Sequence, residues 1–289
     1  VETSTYEGLI KNKKIRNMPI LRGVFSFIES LVLGMKTLTF SASFFEEEED
    51  EKSGSRKAEK RAGAKKPAPT EEEQKKKEKR QENVLMGGTV AISIVLAVAI
   101  FMVLPYYISV FFQRFITSQT LLALLEGVIR LTIFIGYVAA ISLMPDIKRV
   151  YMYHGAEHKC INCIEQGMDL TVENVRKSSR LHKRCGTSFL LIVMLISIVF
   201  FLFIRVDNRI LQLLLRLVLI PVIAGVSYEF IRLAGRSDHM LVNLFSKPGL
   251  LLQRITTREP DDSMIEVGIA SVEAVSDWKA YVKEIREQA

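Results

Sequence analysis

Apolar residues along the chain gather into four long blocks, at 85–112, 121–144, 189–204 and 210–234, separated by short polar breaks. A helix that crosses the hydrocarbon core of a bilayer needs about 20 predominantly apolar residues. Each block therefore predicts a transmembrane helix, the third only if it begins near Gly186. A single buried helix of a soluble protein can mimic one such run, but not four in tandem. The pattern predicts an all-α, polytopic helical membrane protein with four transmembrane helices.

The segment 18–45 is apolar as well, yet Arg22, Glu29 and Lys36 recur every seven residues and so line one helical face. That spacing predicts an amphipathic helix lying in the interface or re-entering it, rather than a span. From Glu46 the sequence turns to Glu, Lys, Ala and Pro, with almost nothing apolar to offset its ordering entropy. The expected organisation is an N-terminal interfacial or re-entrant helix (1–45), a charged disordered tether (46–83) and a first transmembrane hairpin (84–145). A loop (146–186), a second hairpin (187–236) and an amphipathic tail (237–289) follow, with Asp261 and Asp262 at the start of a tail helix.

Composition adds one point. A quarter of the 289 residues are charged and mean hydropathy is still +0.20, so polar and apolar residues are segregated along the chain. That excludes a disordered, collagenous or disulfide-stapled chain. Lys and Arg mark cytosolic loops. The connection between the first two blocks holds only Arg114, and that between the last two Arg205 and Arg209. The 146–186 loop holds Lys148, Arg149, Lys159, Arg176, Lys177, Arg180, Lys183 and Arg184. The charge pattern thus predicts a cytosolic loop and two cytosolic termini, with the lipid bilayer and other membrane proteins as partners and no nucleic acid. All three Cys, Cys160, Cys163 and Cys185, fall in that loop, on the reducing side.

Three of the four His share the loop. In Tyr153-His154-Gly155-Ala156-Glu157-His158-Lys159, His154, Glu157 and His158 stand at i, i+3 and i+4 and would face one way on a helix. Two imidazoles one turn apart can both reach a zinc ion, and an adjacent carboxylate can act as general base. In His182-Lys183-Arg184-Cys185-Gly186-Thr187-Ser188, His182 and Cys185 are again three apart, and Cys185 sits where the next helix dipole favours thiolate. The loop closes on itself between two spans, so both motifs reach the same membrane surface. His154, His158, His182 and Cys185 make a set of four zinc ligands, with Cys163 of Cys160-x-x-Cys163 as a possible addition. Glu165 and Glu173 are further oxygen donors, and the isolated His239 reads as a solvated side chain.

Two functions follow. With three ligands and an open position, zinc and Glu157 would form a hydrolase at the cytosolic surface. With all four ligands, zinc would pin two hairpins together in a non-catalytic assembly or scaffold factor. Charged residues inside the spans (Glu126, Arg130, Arg216, Glu229 and Arg232) raise a third, a transporter, although no inverted repeat is visible.

Four strings in order resemble the YqhQ-like family of bacterial membrane proteins. They are His154 to Lys159, Leu170 to Val175, His182 to Phe189, and Thr257 to Asp262 followed by Ile265-Glu266-Val267. The likeness covers nearly the whole chain after the tether. It implies a multipass protein of the bacterial cell membrane and a metal-dependent enzyme, and it draws Glu259, Asp261 and Asp262 toward the site. The glycine-rich opening expected of such proteins is not recognisable here, and Cys160 falls outside the matching motif.

Overall fold

The structure is a computed structural model that describes residues 18–57, 87–204, 208–235 and 239–288, with isolated positions at 3, 5, 8, 85 and 206. Every regular element among the described residues is helical, so the chain is a polytopic helical protein. The first element, α1, spans Leu21–Lys57. It runs past Glu46, so the start of the expected tether is helix, while residues 58–84 lie outside the described set. The next, α2, covers Gly87–Arg114 and contains one π-helical turn at Ala99–Val103.

Capping fixes where the later helices begin. Ser118 accepts a hydrogen bond from the Leu121 N–H and opens α3, Gln119–Ile141. Pro145, which has no N–H to lose, occupies the first turn of α4, Pro145–Glu165. Gly167, at φ +70°, closes α4: the Met168 N–H reaches the Cys163 carbonyl and the Gly167 N–H that of Ile164, a Schellman stop. Thr171 caps the short α5, Val172–Lys177. Cys185 is the extended residue before α6, Gly186–Leu202. Asn208 opens α7, Arg209–Ala234, through its side-chain oxygen. Beyond these lie α8, Met240–Thr256, α9, Asp262–Val275, capped by Asp261, and α10, Trp278–Gln288.

Among the described residues, four helices are long and apolar enough to cross a membrane: Leu21–Ser41, Gly87–Arg114, Gln119–Ile141 and Ile210–Ala234. The number matches expectation, but one member differs. At 17 residues, α6 extends roughly 26 Å, short of the 30 Å core of a typical bilayer. The Leu21–Ser41 stretch qualifies instead. The Arg22 guanidinium is paired with the Glu229 carboxylate, which removes one of the three charges that argued for the interface.

The chain divides into two compact units, Ser26–Leu104 and Val1–Phe25 with Pro105–Ala289. Within the second, α6 packs against α3, α7 and α8. A separate group of helices, α4, α5, α9 and α10, closes around Cys160, Cys163, Ile164, Leu170, Val175, Ile265 and Val282. Helix α4 therefore belongs to a core of its own while standing directly after α3, and that position sets up the site.

Candidate metal centre

His154 and His158 lie one turn apart on α4, with ring centroids 4.4 Å apart. Each imidazole is fixed by its Nδ1. That of His154 bonds to the Thr256 carbonyl at the end of α8 (2.9 Å), and that of His158 to the Arg180 carbonyl (2.7 Å). Their Nε2 atoms are left for a common target, and Cys185 supplies it: its Sγ lies 3.2 Å from His154 Nε2. One ligand atom from each of His154, His158 and Cys185 falls within 4.8 Å of the others. A tetrahedral zinc ion would hold such donors about 3.4–3.6 Å apart, given its usual bond lengths. The residues fit that group with little adjustment. Imidazoles whose second nitrogen is held by a carbonyl are also the usual supported form of a metal ligand.

The electrostatics agree. Burial works against ionisation of Cys185, but hydrogen bonds from His154, His158 and Thr187 outweigh it and hold the thiol at about 5. Burial opposes the charged ring of His154 too, yet its bond to Cys185 and the thiolate charge raise its pKa. Each of the two groups favours the charged form of the other.

The segment delivering Cys185 has no regular structure between Ser178 and Cys185, so its backbone carbonyls need partners. Three α4 side chains take them. Lys159 Nζ donates to the carbonyls of Arg176 (3.0 Å) and Ser178 (2.9 Å). Asn162 donates to those of Ser179 (2.6 Å) and Leu181 (3.0 Å), and His158 takes that of Arg180. The third donor position of the buried Lys159 goes to Glu259 (3.0 Å), whose other oxygen faces Arg180. On the other side, the fully buried Gln253 grips His182 through both its N–H and its carbonyl, and donates to the Ser188 hydroxyl.

The remaining site expectations divide. His182 sits 5.8 Å from His158 by ring centroids, but its Nε2 faces Glu165 (3.2 Å) and it is not among the three converging groups. Glu157 is exposed on α4 and also outside that group. Cys163 and Cys160 are completely buried in the neighbouring core. Burial pushes Cys160 up to about 12 and raises Cys163, whose sulfur bonds to backbone carbonyls. The Cys-x-x-Cys pair packs in that core, and neither thiol belongs to the group formed by His154, His158 and Cys185. Glu173 pairs with Lys177, Asp262 with Arg176, and Asp261 caps α9. His239 precedes α8, where its carbonyl accepts the Asn243 N–H.

Sequence reading missed Gln253, Thr256 and Gly155. The polar Gln253-Arg254-Ile255-Thr256-Thr257 run following the apolar Leu250-Leu251-Leu252 was the available signal. Gly155 is needed because a Cβ there would collide with the Arg258 carbonyl, so α4 and the segment after α8 touch backbone to backbone.

Helices of membrane-crossing length and this buried His–His–Cys grouping define a class: a polytopic helical membrane protein with a nitrogen- and sulfur-lined centre at the start of a bundle helix. The family model described as "Protein of unknown function (DUF1385)" matches residues 18–278, and the chain belongs to that family. It is also similar to "Uncharacterized protein YqhQ" of Bacillus subtilis (strain 168), with 39% identity over 173 residues, 60% of this chain and 54% of the relative. The chain thus spans about half the length of that relative. No solved structure matches.

Proposed function

We propose that the chain is a zinc-dependent protein of the bacterial cell membrane, a hydrolase working at the cytosolic surface. The observation that carries this reading is the convergence of His154, His158 and Cys185, with both imidazoles anchored through Nδ1. Three protein ligands with one position left over is the arrangement of catalytic rather than structural zinc. When bound, the ion would supply Lewis acidity toward a carbonyl or phosphoryl group. The chain's own part is to hold the donors, keep Cys185 ionised and offer Glu157 as proton acceptor. The orientation rests on the Lys- and Arg-rich 146–186 loop, whose charge favours the cytosolic side.

A second reading has its own support. His182 lies close enough to His158 that leaving Glu165 would add a fourth ligand, giving a closed structural site in an assembly or scaffold factor. One set of measurements separates the two. Elemental analysis of the purified chain should give about one zinc, lost when His154 and His158 become Ala. Cobalt substitution should show a spectrum that changes when an added anion takes the open position; an inert tetrahedral spectrum lost in His182→Ala favours the closed site. Glu157→Gln should keep zinc but fail to complement a deletion strain. Full complementation removes Glu157 from the chemistry, and a metal-free protein overturns both readings.

A further inference from the structure

At the opposite end of α3 from the His–Cys centre, three charged side chains meet inside the bundle. Glu126 and Arg130 come from α3 and Arg216 from α7, and their side chains are only 3–6% exposed. One carboxylate oxygen, Glu126 Oε1, accepts from both Arg130 (2.7 Å) and Arg216 (2.5 Å). A second Arg130 nitrogen donates to the Ser197 hydroxyl (3.1 Å). Aromatic faces add some support: Phe201 lies 4.8 Å from the Arg130 guanidinium and 5.1 Å from that of Arg216, and Tyr106 5.0 Å from the latter.

The charges do not balance. Two guanidiniums meet one carboxylate, an excess of one positive charge at a depth where unpaired charge is costly. The Nε of Arg130 and that of Arg216 are both buried without a hydrogen-bond partner. The pair Glu126–Arg130 alone would be neutral at i, i+4 spacing; Arg216, brought in by another helix, creates the surplus. Beside it lies a cavity of about 220 Å³, walled by Ser109, Gln119, Thr120, Gln212, Glu126 and Arg216. Glu126 and Arg216 each stand seven residues into their helices, roughly 10 Å from the end. Gln113 in the last turn of α2 and Val206 between α6 and α7 also line the cavity, which places it toward that end of the helices.

We infer that this cavity binds a singly charged phosphate group, held by Arg216 and hydrogen-bonded by the amides and hydroxyls of its wall. A cation there would add to the positive surplus, whereas a monoanion cancels it. The amide and hydroxyl wall suits the several acceptor oxygens of phosphate. Such a group comes either from a phospholipid headgroup or from a soluble phosphate.

The full chain, purified in a neutral detergent, tests this. Retention of phosphatidylglycerol against phosphatidylcholine is read by native mass spectrometry, and binding of inorganic phosphate against chloride by calorimetry. Preferential retention of phosphatidylglycerol marks a lipid source and saturable phosphate binding a soluble one; either supports the site, and neither overturns it. Arg216→Gln should weaken the positive arm at least roughly tenfold, and Glu126→Gln, which enlarges the surplus, should tighten it. Gln212→Ala removes a wall amide and no charge, and should weaken binding roughly threefold while unfolding as cooperatively as the parent. Unchanged affinity in Arg216→Gln, or in Gln212→Ala should the charge variants fail to fold, overturns the inference.

Discussion

Helix α4 has two faces that use similar residues for opposite ends. One holds His154 and His158 against Cys185, where hydrogen bonds keep the thiol at about 5 despite burial. The other sinks Cys160 and Cys163 into an apolar core, where burial takes Cys160 to about 12. All three thiols are buried, so exposure does not distinguish them. The partners do: imidazoles and a helix N-terminus on one side, aliphatic side chains on the other. What surrounds a buried sulfur decides whether it ionises.

That contrast can be broken in several ways. The largest expected loss comes where the two faces are held in register: Gly155→Ala puts a methyl against the Arg258 carbonyl and should cost about 3 kcal/mol of unfolding free energy. Denaturant titration in detergent checks it, and a loss under 1 kcal/mol would mean the backbone contact is not tight. Gln253→Leu leaves the His182 N–H and carbonyl without their partners and should cost about 2 kcal/mol. Next, Cys160→Ser buries a hydroxyl in the core and should cost about 1.5 kcal/mol while leaving zinc content unchanged. Cys185→Ser should lose zinc at least roughly tenfold, which sets it apart from Cys160→Ser. If Cys160→Ser depletes zinc, the division of labour between the faces is wrong.

The pH dependence sharpens the same comparison. Because folding lowers the Cys185 pKa, its contribution to stability of the metal-free chain is complete above the unfolded thiol value. It fades as pH falls toward about 5. Thiolate absorbance of the parent minus that of Cys185→Ser should therefore rise with a midpoint near 5. A midpoint in the ordinary thiol range would show that the imidazoles do not stabilise the sulfur. The smallest effect belongs to the half-exposed Arg176–Asp262 pair, where Arg176→Gln should shift stability by less than about 0.5 kcal/mol.

Much of this was legible in the sequence, for identifiable reasons. The His154–His158 pair follows from helical periodicity, and Cys185 from the way a loop between spans returns to its starting surface. Periodicity also held the answer for the other thiols, since steps of about 100° put Cys160 and Cys163 well round the helix from His158. His182 was less readable. Its ring direction depends on Gln253, 71 residues away, and on Glu165, and no local pattern encodes that. Three of the four membrane-length helices, Gly87–Arg114, Gln119–Ile141 and Ile210–Ala234, were visible by hydropathy. The N-terminal segment was harder because its Arg22 finds a carboxylate more than two hundred residues later.

The strap from Ser178 to Leu181 has a final consequence. Its carbonyls are taken by the α4 side chains of His158, Lys159 and Asn162. The scaffold is thus built before any guest arrives, unlike a zinc finger, which collapses under a chelator. Under the proposed zinc reading, chelation should leave the fold intact and the site able to take zinc again without refolding.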